Sequence, residues 1–588
     1  MQIRVLFLIV CIGLSSCQTS GQENGDGSSQ PARKMPAYVM EELPSTAVNA
    51  LQSTHFQFFR YGKIDEDKIK GIAAANEATV SKIQGFTKIF LPAAKYSWYL
   101  YPSVEVKGLM LKNSSPCQVD FEKKEIHAVV NDIFLDYYLG KANELLLDEL
   151  LGTPQKRVLK SGLAVYFTDR WQKMGYRYWA GKLAAADQLP TLADLLNNGN
   201  WEHSSDLIFG AAAAAFCDFA VKRFGKKVFL EKYKSWESSP GEINSLEPAW
   251  QAFCKQLGVP GQTSPPPPLP YLKGFNFAHE GYRIYNGYGS RKADLTLGYL
   301  KQMNVNSVAI VPYTFMKSPN VPSPIPVAKW TGAENDESVI HTSESAQALG
   351  MKVVLKPQVW MGRGFWTGDI DMQTEEDWQA FFKHYGHWIA HYAMLCEIYG
   401  WEMLCTGNEM VKTTLKRGQD WRKLIRSIRK IYSGNLTYAA NWGEEFENIK
   451  IWDELDYIGL NSYYPLSKKD DPSNEELDSG FEQVVQKIET VHAKYQKQVI
   501  FTEIGFPCAK APWKEPHQDW GDLTPDPEQQ KRCYVTVFKN IQKKPWCSGI
   551  LWWKYPSDME HRQRQDTGFS PHGKAAEDVV AKWFAEME

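Results

Sequence analysis

At 588 residues the chain is too long for one hydrophobic core and has room for two or more domains. Its 43% hydrophobic and 23% charged content excludes a largely disordered chain. With 66 basic residues against 68 acidic ones, the formal charge of -2 gives no general attraction to nucleic acid or to an anionic membrane surface.

The N-terminus reads as an export signal. Arg4 precedes an apolar stretch, Val5 to Leu14, that is too short to span a bilayer, and Leu14-Ser15-Ser16-Cys17 follows. That string resembles a bacterial lipoprotein box. The resemblance implies a signal over 1–17, a lipid on Cys17, and display on the cell envelope, at the outer membrane. Residues 18–35 are rich in Gly, Ser and Gln and read as a flexible tether. Eight further cysteines follow, in no C-x-x-C or Cys/His spacing, which argues against structural zinc.

Residues 36–257 read as a mainly helical α+β domain. Glu125-Ile126-His127-Ala128-Val129-Val130-Asn131, Ser161-Gly162-Leu163-Ala164-Val165-Tyr166-Phe167 and Ile208-Phe209-Gly210-Ala211 resemble the zinc peptidases of the gluzincin type, whose helix carries H-E-x-x-H. Against that pattern Ala128 replaces the general base, Asn131 the second histidine and Ser161 the later glutamate. One histidine cannot hold a catalytic zinc, which needs three protein ligands. The expectation is a degenerate peptidase-like domain, with His127 on a helix, no metal and no cofactor.

Residues 258–270 contain four consecutive prolines, Pro265 to Pro268, and read as an extended linker. From 271 to 588 apolar runs alternate with longer amphipathic segments, the signature of βα units. Eight runs read as strands: 274–277, 307–312, 352–357, 402–406, 436–440, 457–461, 499–502 and 549–553. Eight such strands close a (β/α)8 barrel, with its chemistry at their C-terminal ends.

Two of those ends carry carboxylates. Thr406-Gly407-Asn408-Glu409 closes the fourth strand and Thr502-Glu503-Ile504-Gly505 the seventh. A pair of carboxylates about 5–5.5 Å apart is what a retaining glycosidase requires, one as acid/base and the other as nucleophile. Together with Lys273-Gly274-Phe275-Asn276, these strings resemble clan A glycoside hydrolases, most of all the β-mannan-cleaving families. The resemblance implies acid/base Glu409, nucleophile Glu503 and a β-linked poly- or oligosaccharide substrate, β-1,4-mannan-like. Asn408 is suited to the sugar 2-hydroxyl, and Tyr463, preferred to Tyr464, to orienting Glu503. Trp360, Trp366, Trp442 and Trp552 or Trp553 are candidate sugar platforms; strand alternation admits one of the last two, and Trp552 is taken. His279 after the first strand can reach a sugar hydroxyl, and Lys356, with Gln358 beside it, lies in an apolar strand and needs a partner. The rival readings are a non-catalytic glycan-binding surface lipoprotein and a metallopeptidase.

Overall fold

The computed structural model describes residues 43–91, 96–134, 140–258, 265–280, 283–362, 364–560 and 566–587. The signal, Cys17 and the tether lie outside these residues.

The N-terminal lobe begins with a mixed five-stranded sheet of order β1-β2-β3-β5-β4: β1 Val48–Gln52, β2 Phe56–Arg60, β3 Tyr96–Tyr101, β4 Cys117–Asp120 and β5 Glu125–Val129. Helices follow, among them Arg157–Tyr166 and the almost wholly buried Asp206–Phe224. His127 therefore stands on a strand, not on the expected helix. The run Glu125-Ile126-His127-Ala128-Val129 alternates half-buried and buried residues at the period of two that a strand needs. The His127 ring stacks on Tyr99 and bonds the Tyr101 hydroxyl at 2.9 Å. Asn131 lies in the turn beyond, where its carbonyl accepts from the amides of Ile133 and Phe134. Ser161 is helical, as expected, and donates to Glu144 at 3.2 Å.

The C-terminal lobe is a closed barrel of eight parallel strands. In chain order these are β6 Leu272–Ala278, β7 Ser307–Ile310, β9 Lys352–Leu355, β11 Met403–Asn408, β12 Asn435–Asn441, β13 Ile458–Ser462, β14 Val499–Ile504 and β15 Cys547–Pro556. All eight expected strands are present. The second and third stop short of Pro312 and Pro357, which cannot donate to a ladder. Beyond those prolines the chain continues as a separate parallel pair, β8 Tyr313–Met316 and β10 Gln358–Met361, that rises from the barrel's C-terminal rim.

The described part of the proline-rich segment, residues 265–270, is pinned to the barrel. Asn435 donates to the Pro267 carbonyl at 3.1 Å, and the Leu269 amide donates to the Tyr457 hydroxyl at 2.9 Å. Leu269 packs against a layer of Leu272, Val354, Met403, Ile500 and Leu551 at the N-terminal ends of the strands. One continuous apolar core runs through both lobes. Their seam is polar as well. His391, wholly buried on the helix Glu375–Tyr399, bonds Ser205 of the first lobe and Asp336 of the second, both at 2.8 Å. Nearby, Lys182 and Tyr178 reach Glu397 at 2.7 and 3.2 Å.

Candidate active site

Both glutamates are aimed by irregularities in the barrel ladder. Between Cys405 and Asn408 the pairing of β11 with β12 slips by one residue, and between Leu460 and Asn461 that of β13 with β14 does the same. Such bulges re-aim side chains at a strand end. At the first, Gly407 is required: a Cβ there would sit 2.7 Å from both Trp421 and Tyr438. Glu409 takes the left-handed backbone, φ 50°, with its amide bonded to the Ala439 carbonyl at 2.9 Å. Buried Glu445 braces this turn through Tyr438, whose hydroxyl accepts from the Met410 amide at 2.7 Å. At the second bulge the buried Asn276 side chain donates to the Thr502 carbonyl at 2.9 Å.

The two carboxylates sit in unlike surroundings. Glu503 is almost fully buried. One of its oxygens meets the Lys356 ammonium and accepts from Gln358 at 3.0 Å, while the other accepts from the Tyr463 hydroxyl at 2.9 Å. Lys356 is itself wholly buried, so ammonium and carboxylate compensate each other. Among the described residues Glu409 forms no ion pair. It accepts from Asn461 at 2.9 Å and from the Trp366 indole at 3.2 Å. Burial, and next the charge of Glu503, push its carboxyl up to about 7 despite those two donors.

The site thus gathers Glu409, Glu503, Lys356, Tyr463 and, through Asn461, Asn408, whose carbonyl accepts from Asn461 at 3.1 Å. Trp442 is half-buried between Tyr464 and His517 on the loop after β12. Trp360 is exposed on β10. His279 is buried against Tyr288, whose amide donates to its Nδ1 at 3.3 Å. The choice of Trp552 needs correction: it is wholly buried and stacked 3.9 Å from Tyr534 in the helix layer. Trp553 takes the inner place, with the Lys356 ammonium 5.1 Å from its ring centre. Strand alternation holds there, with Leu551 in the interior layer, Trp552 outside and Trp553 inside, but alternation alone does not say which of the two tryptophans faces in. Asn461 is the residue that sequence reasoning passed over. Its signal was a polar side chain ending an apolar strand two positions before Tyr463.

A sequence model of Glycoside Hydrolase Family 113 matches residues 276–574. Among solved structures, a β-mannanase of that family from Alicyclobacillus acidocaldarius, in complex with ManMIm, is 28% identical. The match covers 54% of this chain and 99% of that one, with a TM-score of 0.49. A complex of a β-1,4-mannanase of the same family is 24% identical over 54% and 99% of the two chains, with a TM-score of 0.48. No curated protein matches the chain.

The electrostatic asymmetry has a direct consequence. In Glu503→Gln the neighbouring charge is gone, so the Glu409 carboxyl should titrate below its wild-type value of about 7. Carboxyl titration followed by infrared or carbon-13 NMR difference spectra checks this. An unchanged value means that Glu503 does not act on Glu409.

Proposed function

The chain belongs to Glycoside Hydrolase Family 113, and from that membership we propose a retaining β-mannanase acting by double displacement, with β-1,4-mannan or manno-oligosaccharides as substrate. The observation that carries the mechanism is the division of charge between the two glutamates. Glu503, paired with Lys356 and held by Gln358 and Tyr463, is placed to attack the anomeric carbon. Glu409, with its raised carboxyl, is equipped to hold a proton near neutral pH and give it to the departing glycosidic oxygen. A covalent glycosyl ester on Glu503 results. Glu409, now ionised, then takes a proton from water as that water attacks the same carbon, and the ester bond breaks.

The surrounding donors fit the same scheme. Tyr463 and Gln358 fix the Glu503 carboxylate, so that attack needs no reorientation. Asn408, held by Asn461, is placed for the sugar 2-hydroxyl, and Trp553 for the apolar face of the ring at the cleavage site. The lobe of residues 36–257 is read as a peptidase-like support without peptidase chemistry, a likeness now resting on the Ser161 and Phe209 helices. The chain is further read as an outer-membrane lipoprotein anchored through Cys17.

Hydrolysis of a panel of β-linked glycans tests the substrate and the roles together. Mannan should be cleaved, and Glu409→Gln should lower kcat by about 10²–10⁴-fold on substrates with poor leaving groups. Because the reaction needs protonated Glu409, activity should fall as pH rises through about 7. Silence on mannan, with another glycan cleaved, removes the substrate assignment. Metabolic labelling with a tritiated fatty acid tests the anchor: label should enter the wild-type chain and be lost in Cys17→Ser, and label that persists in the variant overturns it.

A further inference from the structure

The rim ribbon of β8 and β10 has a function that the catalytic pair does not require. The two strands are in parallel register, Tyr313 against Gln358 and Phe315 against Trp360. Residues two apart on a strand share a face, and partners in a ladder share it too. One face of the ribbon therefore carries Gln358 and Tyr313 at its base and Trp360 and Phe315 above them. The base belongs to the site, because Gln358 donates to Glu503 at 3.0 Å. The top stands one strand repeat, about 7 Å, farther out. The Tyr313 and Trp360 rings meet edge to face at 5.8 Å, which ties base to top.

The other face of the ribbon is conventional: Thr314, Met316, Val359 and Met361 are buried. Phe315 and Trp360 are not, at 56% and 54% exposed. Two large rings paired side by side in water forgo burial that each could otherwise gain. The loop beyond β10 adds Phe365 and Trp366, 48% and 42% exposed, and Trp366 reaches back to Glu409. Exposed rings thus stand beside the acid/base, at Trp366, and on the ribbon above Gln358.

Resting on the glycosidase reading, we propose that Phe315 and Trp360 form a sugar-binding platform outside the cleavage site, which holds further units of the same β-linked glycan chain. Each ring offers a flat apolar surface to the C–H face of a pyranose, and the ribbon's second, buried face holds both rigid. The site accordingly selects a chain rather than a disaccharide. Its affinity is spent on units remote from the broken bond, which position the chain across the two carboxylates.

The test is chain-length dependence. Rates on β-1,4-linked manno-oligosaccharides of two to six units, and on an activated aryl mannoside, are compared in wild type, Phe315→Ala, Trp360→Ala and the conservative Trp360→Phe. In the wild type kcat/KM should climb with length. The alanine variants should lose on the order of tenfold on the longest oligomers, mainly through KM, and less than about twofold on the aryl mannoside. Trp360→Phe should recover most of the loss. Equal loss on short and long substrates, or none on either, overturns the platform. So does dimerisation of the wild type that the alanine variants abolish without any change in chain-length dependence, because the rings then cover a second copy. A chain inactive on every mannoside instead removes the mannan assignment, and affinity electrophoresis in mannan then decides the platform: retardation of the wild type that both alanine variants lose supports it, and unretarded migration overturns it.

Discussion

A buried ion pair organises the active centre. Lys356 is wholly buried, and among the described residues its ammonium is answered by the Glu503 carboxylate. Everything around it follows from keeping that pair compensated. Lys356 precedes Pro357, so the barrel strand ends where the ammonium must turn into the cleft, and the chain leaves the barrel as β10 with Gln358 on the same carboxylate. The charge held on Glu503 then raises Glu409, which burial has already pushed toward neutrality. Identical side chains thus stand in opposite settings: Glu503 is paired with a cation, and Glu409 is raised by burial and by its neighbour's charge.

The barrel supplies the rigidity that this division needs. Bulges at the ends of β11 and β14 turn the two glutamates inward, and each bulge is caught by a buried polar group: Tyr438 with Glu445 behind Glu409, Asn276 behind Thr502 and Glu503. Asn461 ties the two sides together. Its amide nitrogen donates to both Asn408 and Glu409, and its carbonyl accepts from Thr502, the residue next to Glu503. Across the back of the barrel the N-terminal lobe shares the core and grips the helix Glu375–Tyr399 through His391 and Glu397. That helix packs its Tyr385 hydroxyl against the Thr406 carbonyl at the end of β11, so the seam between lobes and the Glu409 strand are joined by one rigid element.

Much of this was legible in the sequence. Strands buried on both faces read as continuous apolar runs, so all eight were visible, and the glutamates stood out as charges ending two of them. What stayed hidden depends on neighbours distant in the chain. Alternation requires that one of Trp552 and Trp553 faces in, but only the helix that carries Tyr534 decides that Trp552 is the outer one. His127 was placed on a helix by its likeness to a peptidase motif, although the burial along Glu125–Val129 has the period of a strand. The β8–β10 ribbon was masked because Pro312 and Pro357 read as strand ends, while pairing beyond a proline depends on a partner distant in sequence. Asn461 was passed over because its role lies in three partners at the ends of other strands, none of them near it in the chain.

The division of labour between the glutamates is tested most directly by trapping. The chain is incubated with an activated 2-deoxy-2-fluoro-mannoside, digested, and its peptides mapped by mass spectrometry. One fluoro-sugar should be found per chain, in ester linkage to Glu503, with Glu409 unmodified and no adduct in Glu503→Gln. Label on Glu409, or turnover with inverted anomeric configuration and no adduct, would contradict the assignment of Glu503 as the nucleophile.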